Sequence, residues 1–328
     1  MSDVRPAFLL SLPRSGSTLL QRMLGAHPVV STTAEPWLLL PLLSALAPDG
    51  VYTRYNHRVA REAIQAFSER MPDGPRELDD ETRRYALRIY ARAAEPQSEV
   101  FLDKTPRYGL YIEQLLRAFP TAPMIVLWRN PLSILASLSR SFDRGQWQPH
   151  HHIVDLYDLL DSLTRAVAVD PARFHRLAYE DLVSDPERSL RAVLAHLDLP
   201  WDDRVTRDFA TTDVNGPVGD LSVSDSLAGL QTVASTGADR WQDVIAGPLR
   251  RRWAARYLDW IGGDRLALMG YDLNLLQKDL AAAPTAWATT PADIYHAAKG
   301  VVWRLVEPQI LKDKWARRHM AERITSHG

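Results

Sequence analysis

Two regimes of apolar patterning alternate along this chain. Short runs that are apolar almost throughout, or strand-like in composition, occur at AFLLSL (7–12), EVFLDK (99–104), MIVLWR (124–129) and RFHRLAY (173–179). The first three read as strands buried on both faces of a parallel sheet. Between and after them, apolar residues recur at helical spacing in GSTLLQRMLGAH, RYGLYIEQLLRAF, PLSILASLSRSF and DPERSLRAVLAHL. Strand and helix in alternation predict βαβ units, hence an α/β fold with a parallel sheet flanked by helices.

Residues 51 to 95 interrupt that rhythm with two charged, helix-patterned stretches, NHRVAREAIQAFSER and DETRRYALRIYARAA. They read as a helical insertion forming one wall of a cleft. AAAPTAWATTPA (281–292) reads as a linker. The predicted organisation is therefore a main domain over 1–280, with the insertion at about 51–95, and a linker with a helical C-terminal extension over 281–328.

Composition narrows the function. The chain has 328 residues and a net charge of −1, so no global field favours nucleic acid as a partner. Cysteine is absent, which removes disulfides, thiolate catalysis and cysteine zinc sites together. The N-terminal run meets Arg14 too early for a signal peptide or spanning helix, and WLLLPLLSALA (37–47) is too short to cross a bilayer. A soluble, cytoplasmic protein is the expectation. The basic tail around VVWRLVEPQILKDKWARRH is open to two readings: a helix packed on the core or on a second subunit, as in a homodimer, or an amphipathic contact with a membrane surface.

The candidate chemistry starts at LLSLPRSGSTLLQRML (9–24). A strand runs into Pro13-Arg14-Ser15-Gly16-Ser17-Thr18, and a helix begins. Such a turn at the carboxyl edge of a parallel sheet presents helix N–H groups, hydroxyls and the Arg14 guanidinium to one place, which favours an anion. A Walker A loop requires G-x-x-x-x-G-K-[ST]. Here Ser11 and Ser17 stand in place of the first glycine and the lysine. A second anchor lies at MIVLWRNPLSILASLSRSF, where Arg129 ends a strand, Asn130 can cap and Pro131 suits the first helical position. Ser137 then lies only ~9 Å along the helix, within reach of the same ligand.

LPRSGSTLLQRMLGAHP resembles the 5′-phosphosulfate loop of sulfotransferases that use 3′-phosphoadenosine 5′-phosphosulfate (PAPS), nearest to the branch holding the protein-tyrosine sulfotransferases and their bacterial relatives. The resemblance implies a P-loop-like sheet and PAPS as co-substrate, with no obligatory metal. It also implies a 5′-phosphosulfate site at Arg14, Ser15, Gly16, Ser17 and Thr18, and a 3′-phosphate site at Arg129 and Ser137. Tyr179, in RLAYEDL, falls near the nucleotide, and Arg240, in STGADRWQDV, falls on a late cofactor-binding loop. Ser226 matches a serine facing the phosphosulfate.

Sulfuryl transfer needs an activated acceptor, stabilised charge on the transferring group and in-line reactants. Arg14 and Lys104 are the available cations, and Lys104, in FLDKTPRY, resembles the family lysine that neutralises the leaving phosphate. Many cytosolic members have a histidine two residues later, where this chain has Pro106. The tyrosylprotein branch instead has a glutamate after its AHP motif, which maps to Glu35. The implied acceptor is a hydroxyl, less readily an amine, of a small molecule, glycan or lipid. A protein tyrosine, a small-molecule kinase and an inactive nucleotide-binding module are the alternatives. PHHHI (149–153) reads as a polar loop, with substrate contact or metal binding as lesser readings; no metal site is predicted.

Overall fold

The computed structural model describes residues 4–47, 56–214 and 241–306. One sheet contains β1 (Arg5–Ser11), β2 (Val30–Thr32), β3 (Val100–Asp103), β4 (Met124–Trp128) and β5 (Phe174–Ala178). Its order is β2-β3-β1-β4-β5, and every neighbouring pair is parallel. The strands read from the apolar runs are all present. β2 has no counterpart in that reading, because Val-Ser-Thr is too short to show alternation and is defined by its pairing, Val30 opposite Val100.

Strand side chains alternate between two cores. Phe8, Leu10, Phe101, Met124, Val126 and Trp128 belong to one; Ala7, Leu9, Leu102, Ile125 and Leu127 belong to the other. Helix α1 (Ser17–Gly25) covers the second face through Leu20, Met23 and Leu24. Short α2 (Leu40–Leu43) leads to the insertion, which forms α3 (His57–Ser68) and α4 (Pro75–Ala93). Ala86 and Tyr90 of α4 seal part of the first face. The helix expected over 107–119 is divided: a 3₁₀ stretch, Pro106–Tyr111, precedes α5 (Ile112–Ala118).

Helix α6 (Pro131–Ser141) starts as its sequence dictates, with Pro131 in the first turn and Asn130 Oδ1 accepting the Leu132 N–H at 2.9 Å. The histidine run forms a 3₁₀ turn, Pro149–His152, followed by a π-helical turn, Val154–Leu159, and α7 (Leu160–Val169). Beyond β5 lie α8 (Tyr179–Ser184), α9 (Pro186–His196) and α10 (Arg204–Arg207). Leu190, Val193 and Leu194 of α9 complete the second core.

C-terminal to the undescribed stretch come α11 (Trp241–Val244), α12 (Pro248–Met269), which bends at Gly262, and α13 (Leu273–Ala282). The linker read at 281–292 is shorter in the structure, since α13 ends at Ala282 and α14 (Thr290–Val306) begins at Thr290. Helix α14 is anchored to α12 by a buried pair in which Arg250 donates to both carboxylate oxygens of Asp293 at 2.8 Å.

Candidate active site

β1 pairs with β3 on one side and β4 on the other, so the strand order reverses at its carboxyl end. Ligands of open α/β sheets bind at such a switch point. The chain delivers its candidate residues there by one device: Arg14 follows β1, Lys104 follows β3, Arg129 follows β4 and Tyr179 follows β5.

The turn after β1 is locally strained. Arg14 has φ 68° and Gly16 φ 89°, both in the left-handed region. Glycine at 16 has a second cause: a Cβ there would lie 2.4 Å from the Tyr179 ring. Helix α1 opens at Ser17 with no side-chain cap, leaving its first N–H groups directed at the switch point. Ser15 is fully buried, and its Oγ has no hydrogen-bond partner among the described residues. An orphaned hydroxyl beside uncapped amides suits an anionic ligand such as a phosphosulfate. Ser17 and Thr18 are buried in the same turn.

The two arginines interlock. Arg129 donates from Nη1 to the Arg14 carbonyl at 2.6 Å, and its guanidinium lies 4.3 Å from the Tyr179 ring centroid. Arg14 donates from Nε to Ser137 Oγ at 3.1 Å. The sequence reading placed the two arginines at separate anion sites and joined Ser137 to Arg129. In the structure Ser137 bonds Arg14 and Arg129 bonds the Arg14 backbone, so all three lie together at the switch point. Glu180, next to Tyr179, accepts the Asn130 N–H at 3.1 Å and the Tyr271 hydroxyl at 2.6 Å, tying the end of β4 to the C-terminal helices. Burial, the largest influence, and the Glu180 charge push the Tyr271 hydroxyl above its ordinary range.

Glu35 and Lys104 meet although 69 positions apart in sequence: Lys104 Nζ donates to Glu35 Oε1 at 2.8 Å. The lysine side chain is only 3% exposed and the glutamate 13%. Trp37 Nε1 donates to the other carboxylate oxygen at 3.1 Å. Glu35 shares a cavity of about 400 Å³ with Arg14, Gly16, Ser17 and Thr18. A carboxylate and a hydroxyl-bearing turn thus open onto one space of ligand size.

Several cavity residues carried no signal in the sequence. Trp37, Arg107, Phe142 and Asp155 line it, and Arg107 donates to Asp155 at 3.0 Å. Burial pushes the Asp155 carboxyl up, against the Arg107 charge. The histidine turn also reaches the cavity. His151 and His152 line it while donating ring N–H groups to opposite oxygens of buried Asp143, at 3.1 and 3.0 Å. His150 turns away into burial, which lowers its pKa to about 4. Among the described residues, no group of three or more histidine and acidic side chains is arranged to hold a metal ion. Ser226 and Arg240 lie outside the described residues, as does the tail from 307 onward.

The chain belongs to the sulfotransferase family, whose model matches residues 6–203. It is 35% identical over 225 residues to nodulation protein NoeE of Sinorhizobium fredii, covering 60% of this chain and 51% of that protein. It is 24% identical over 328 residues to a protein-tyrosine sulfotransferase of Drosophila melanogaster, covering 93% of this chain and 59% of that protein. A mycobacterial protein, omega-hydroxy-beta-dihydromenaquinone-9 sulfotransferase Stf3 of Mycobacterium bovis, is 34% identical over 142 residues, covering 38% of this chain and 35% of its own length. The chain therefore spans less than two thirds of each of these relatives. Among its described residues, no helix is long and apolar enough to cross a membrane.

Proposed function

We propose that this member of the sulfotransferase family transfers the sulfuryl group of PAPS to a hydroxyl oxygen of a small-molecule, glycan or lipid acceptor, without a metal ion. One observation carries the reading: Glu35 and the turn residues Arg14, Gly16, Ser17 and Thr18 open onto the same cavity. An ordinary capped turn would not require a half-buried carboxylate paired with a buried lysine beside it. Two relatives, a protein-tyrosine and an omega-hydroxy sulfotransferase by name, support an oxygen acceptor.

When bound, PAPS supplies the sulfuryl group and the leaving group, 3′-phosphoadenosine 5′-phosphate. The chain's residues divide the remaining work. Glu35 takes the proton of the acceptor hydroxyl as its oxygen bonds to sulfur. Lys104, beside Glu35, offsets negative charge on the bridging oxygen that departs with the phosphate. Arg14, Ser15, Ser17, Thr18 and the α1 amides hold the phosphosulfate end. Arg129 and Ser137 hold the 3′-phosphate, and Tyr179 backs the Arg129 guanidinium. Ser226 and Arg240 complete the proposed donor site, and cytoplasmic operation belongs to the same reading.

Calorimetry with 3′-phosphoadenosine 5′-phosphate, without and with magnesium, tests the donor. Tight binding independent of magnesium is expected; binding only of ATP with magnesium would identify a kinase instead. Radiolabelled PAPS offered with para-nitrophenol, octanol, glucose and a tyrosine peptide tests transfer. Label in none of them, with nucleotide bound, would point to a binding module.

A further inference from the structure

Asp103 is fully buried at the end of β3, does not line the cavity and has no part in the chemistry above. Around it lies a dense polar network. Tyr90 donates to Oδ2 at 2.6 Å, Tyr108 donates to the same oxygen at 3.0 Å, and Thr105 donates to Oδ1 at 2.9 Å. An ionised carboxylate only accepts, so each of these hydroxyl protons is committed to it. Tyr108 differs from its neighbours in one respect: its oxygen also accepts the Leu39 N–H at 3.1 Å.

Leu39 ends the short segment that carries Glu35 and Trp37. That segment is not at rest, for Trp37 has φ 51°, a conformation that persists only where the surroundings enforce it. Two polar anchors help enforce it, with the Arg107 guanidinium 5.8 Å from the Trp37 ring centroid beside them. Glu35 is held by Lys104, and Leu39 is held by Tyr108. Both anchors arise from residues 104–108, immediately after β3. The segment is pinned at both ends to the same stretch of chain.

We propose that Tyr108, oriented by Asp103, is a positioning residue that fixes the Glu35 carboxylate over the cavity by holding the Leu39 backbone amide. The proposal rests on Glu35 acting as the base. Asp103 sets the direction of the Tyr108 hydroxyl: with the proton spent on the carboxylate, a lone pair is left for Leu39. Loss of that bond removes one of the contacts that hold the segment and loosens the placement of Glu35, and misplacement by about 1 Å can cost roughly 100-fold in rate.

Tyr90 provides the control, because its hydroxyl bonds the same carboxylate oxygen but does not touch Leu39. Phenylalanine at either position keeps the ring: Tyr90 stacks on Phe101 at 4.5 Å, and Tyr108 meets Phe8 edge-on at 6.2 Å. Tyr108→Phe is expected to lower kcat with PAPS and the reactive probe acceptor by about 10- to 100-fold, while the affinity for 3′-phosphoadenosine 5′-phosphate stays at its wild-type value. Tyr90→Phe should leave kcat unchanged. Hydrogen exchange supplies a readout that needs no turnover: the Leu39 amide should exchange about tenfold faster or more in Tyr108→Phe alone, as expected for the loss of one hydrogen bond. Equal kcat in the two variants, or unprotected Leu39 exchange in the wild type, overturns the proposal. The wild-type measurement decides the matter even if a variant does not fold. Absence of sulfuryl transfer by the wild type would count against the activity reading, whereas the exchange comparison would still test the pinning.

Discussion

Replacing Glu35 with glutamine probes the proposed base while keeping the shape of the site. The amide oxygen can still accept from Lys104 Nζ, now 2.8 Å from the carboxylate, but the countercharge is gone. With the Lys104 side chain 3% exposed, that loss is felt. Removing one partner of a buried pair outright costs about 3–5 kcal/mol; with the hydrogen bond retained, about 1–3 kcal/mol of stability should be lost. The catalytic effect is separate. A positioned general base contributes typically 10²- to 10⁴-fold, or about 3–5 kcal/mol in the barrier. Single-turnover transfer of radiolabelled sulfate should fall by that factor, with unaltered calorimetric affinity for 3′-phosphoadenosine 5′-phosphate. A second variant, Lys104→Met, and the double variant complete a cycle that isolates the coupling between the pair. Wild-type turnover in Glu35→Gln, accompanied by the stability loss, would reduce the pair to a structural ion pair and remove Glu35 from the mechanism.

Gly16→Ala should abolish nucleotide binding and lower stability by about 1–3 kcal/mol, since φ 89° is strained for alanine and the new Cβ would collide with Tyr179; wild-type calorimetry on this variant would contradict the turn geometry. Burial raises the Asp103 pKa from 3.8 to about 6, so the folded state holds this proton more tightly than the unfolded chain. The group's contribution is therefore full below about pH 4 and is lost as pH rises through 6, a change of about 3 kcal/mol. Denaturant unfolding of wild type and Asp103→Asn across that window should show the difference, and parallel curves would refute it. Asp293→Ala leaves the Arg250 charge buried, with side-chain exposure of 7%, at a cost of about 3–5 kcal/mol. Proteolysis should then release α14 before the sheet domain, and unchanged protection would show that other contacts dock it.

How the site was legible follows from where its residues sit in sequence. The turn after β1 is readable because its parts are consecutive: Pro13 to Thr18 combine a strand end, a glycine, hydroxyls and a helix start within a few residues. Arg129 and Asn130-Pro131 were readable for the same local reason. The short edge strand β2 was not, because three residues cannot display a period and its identity depends on pairing with β3. Trp37, Arg107, Phe142 and Asp155 have ordinary local contexts and became cavity residues only when four separate chain segments converged. Tyr108 falls within RYGLYIEQLLRAF, whose pattern predicts only a helix.

The sequence by itself determined the strand–helix alternation, the parallel sheet and the chemical character of the turn after β1, since each depends on interactions within a few residues. Tertiary structure decided which distant groups share an environment. It brought Glu35 onto Lys104 and Ser137 onto Arg14, and set Asp103 beneath two tyrosines. The physical reason is that hydrogen bonds and charge pairs act over a few ångströms in space, whatever their separation along the chain.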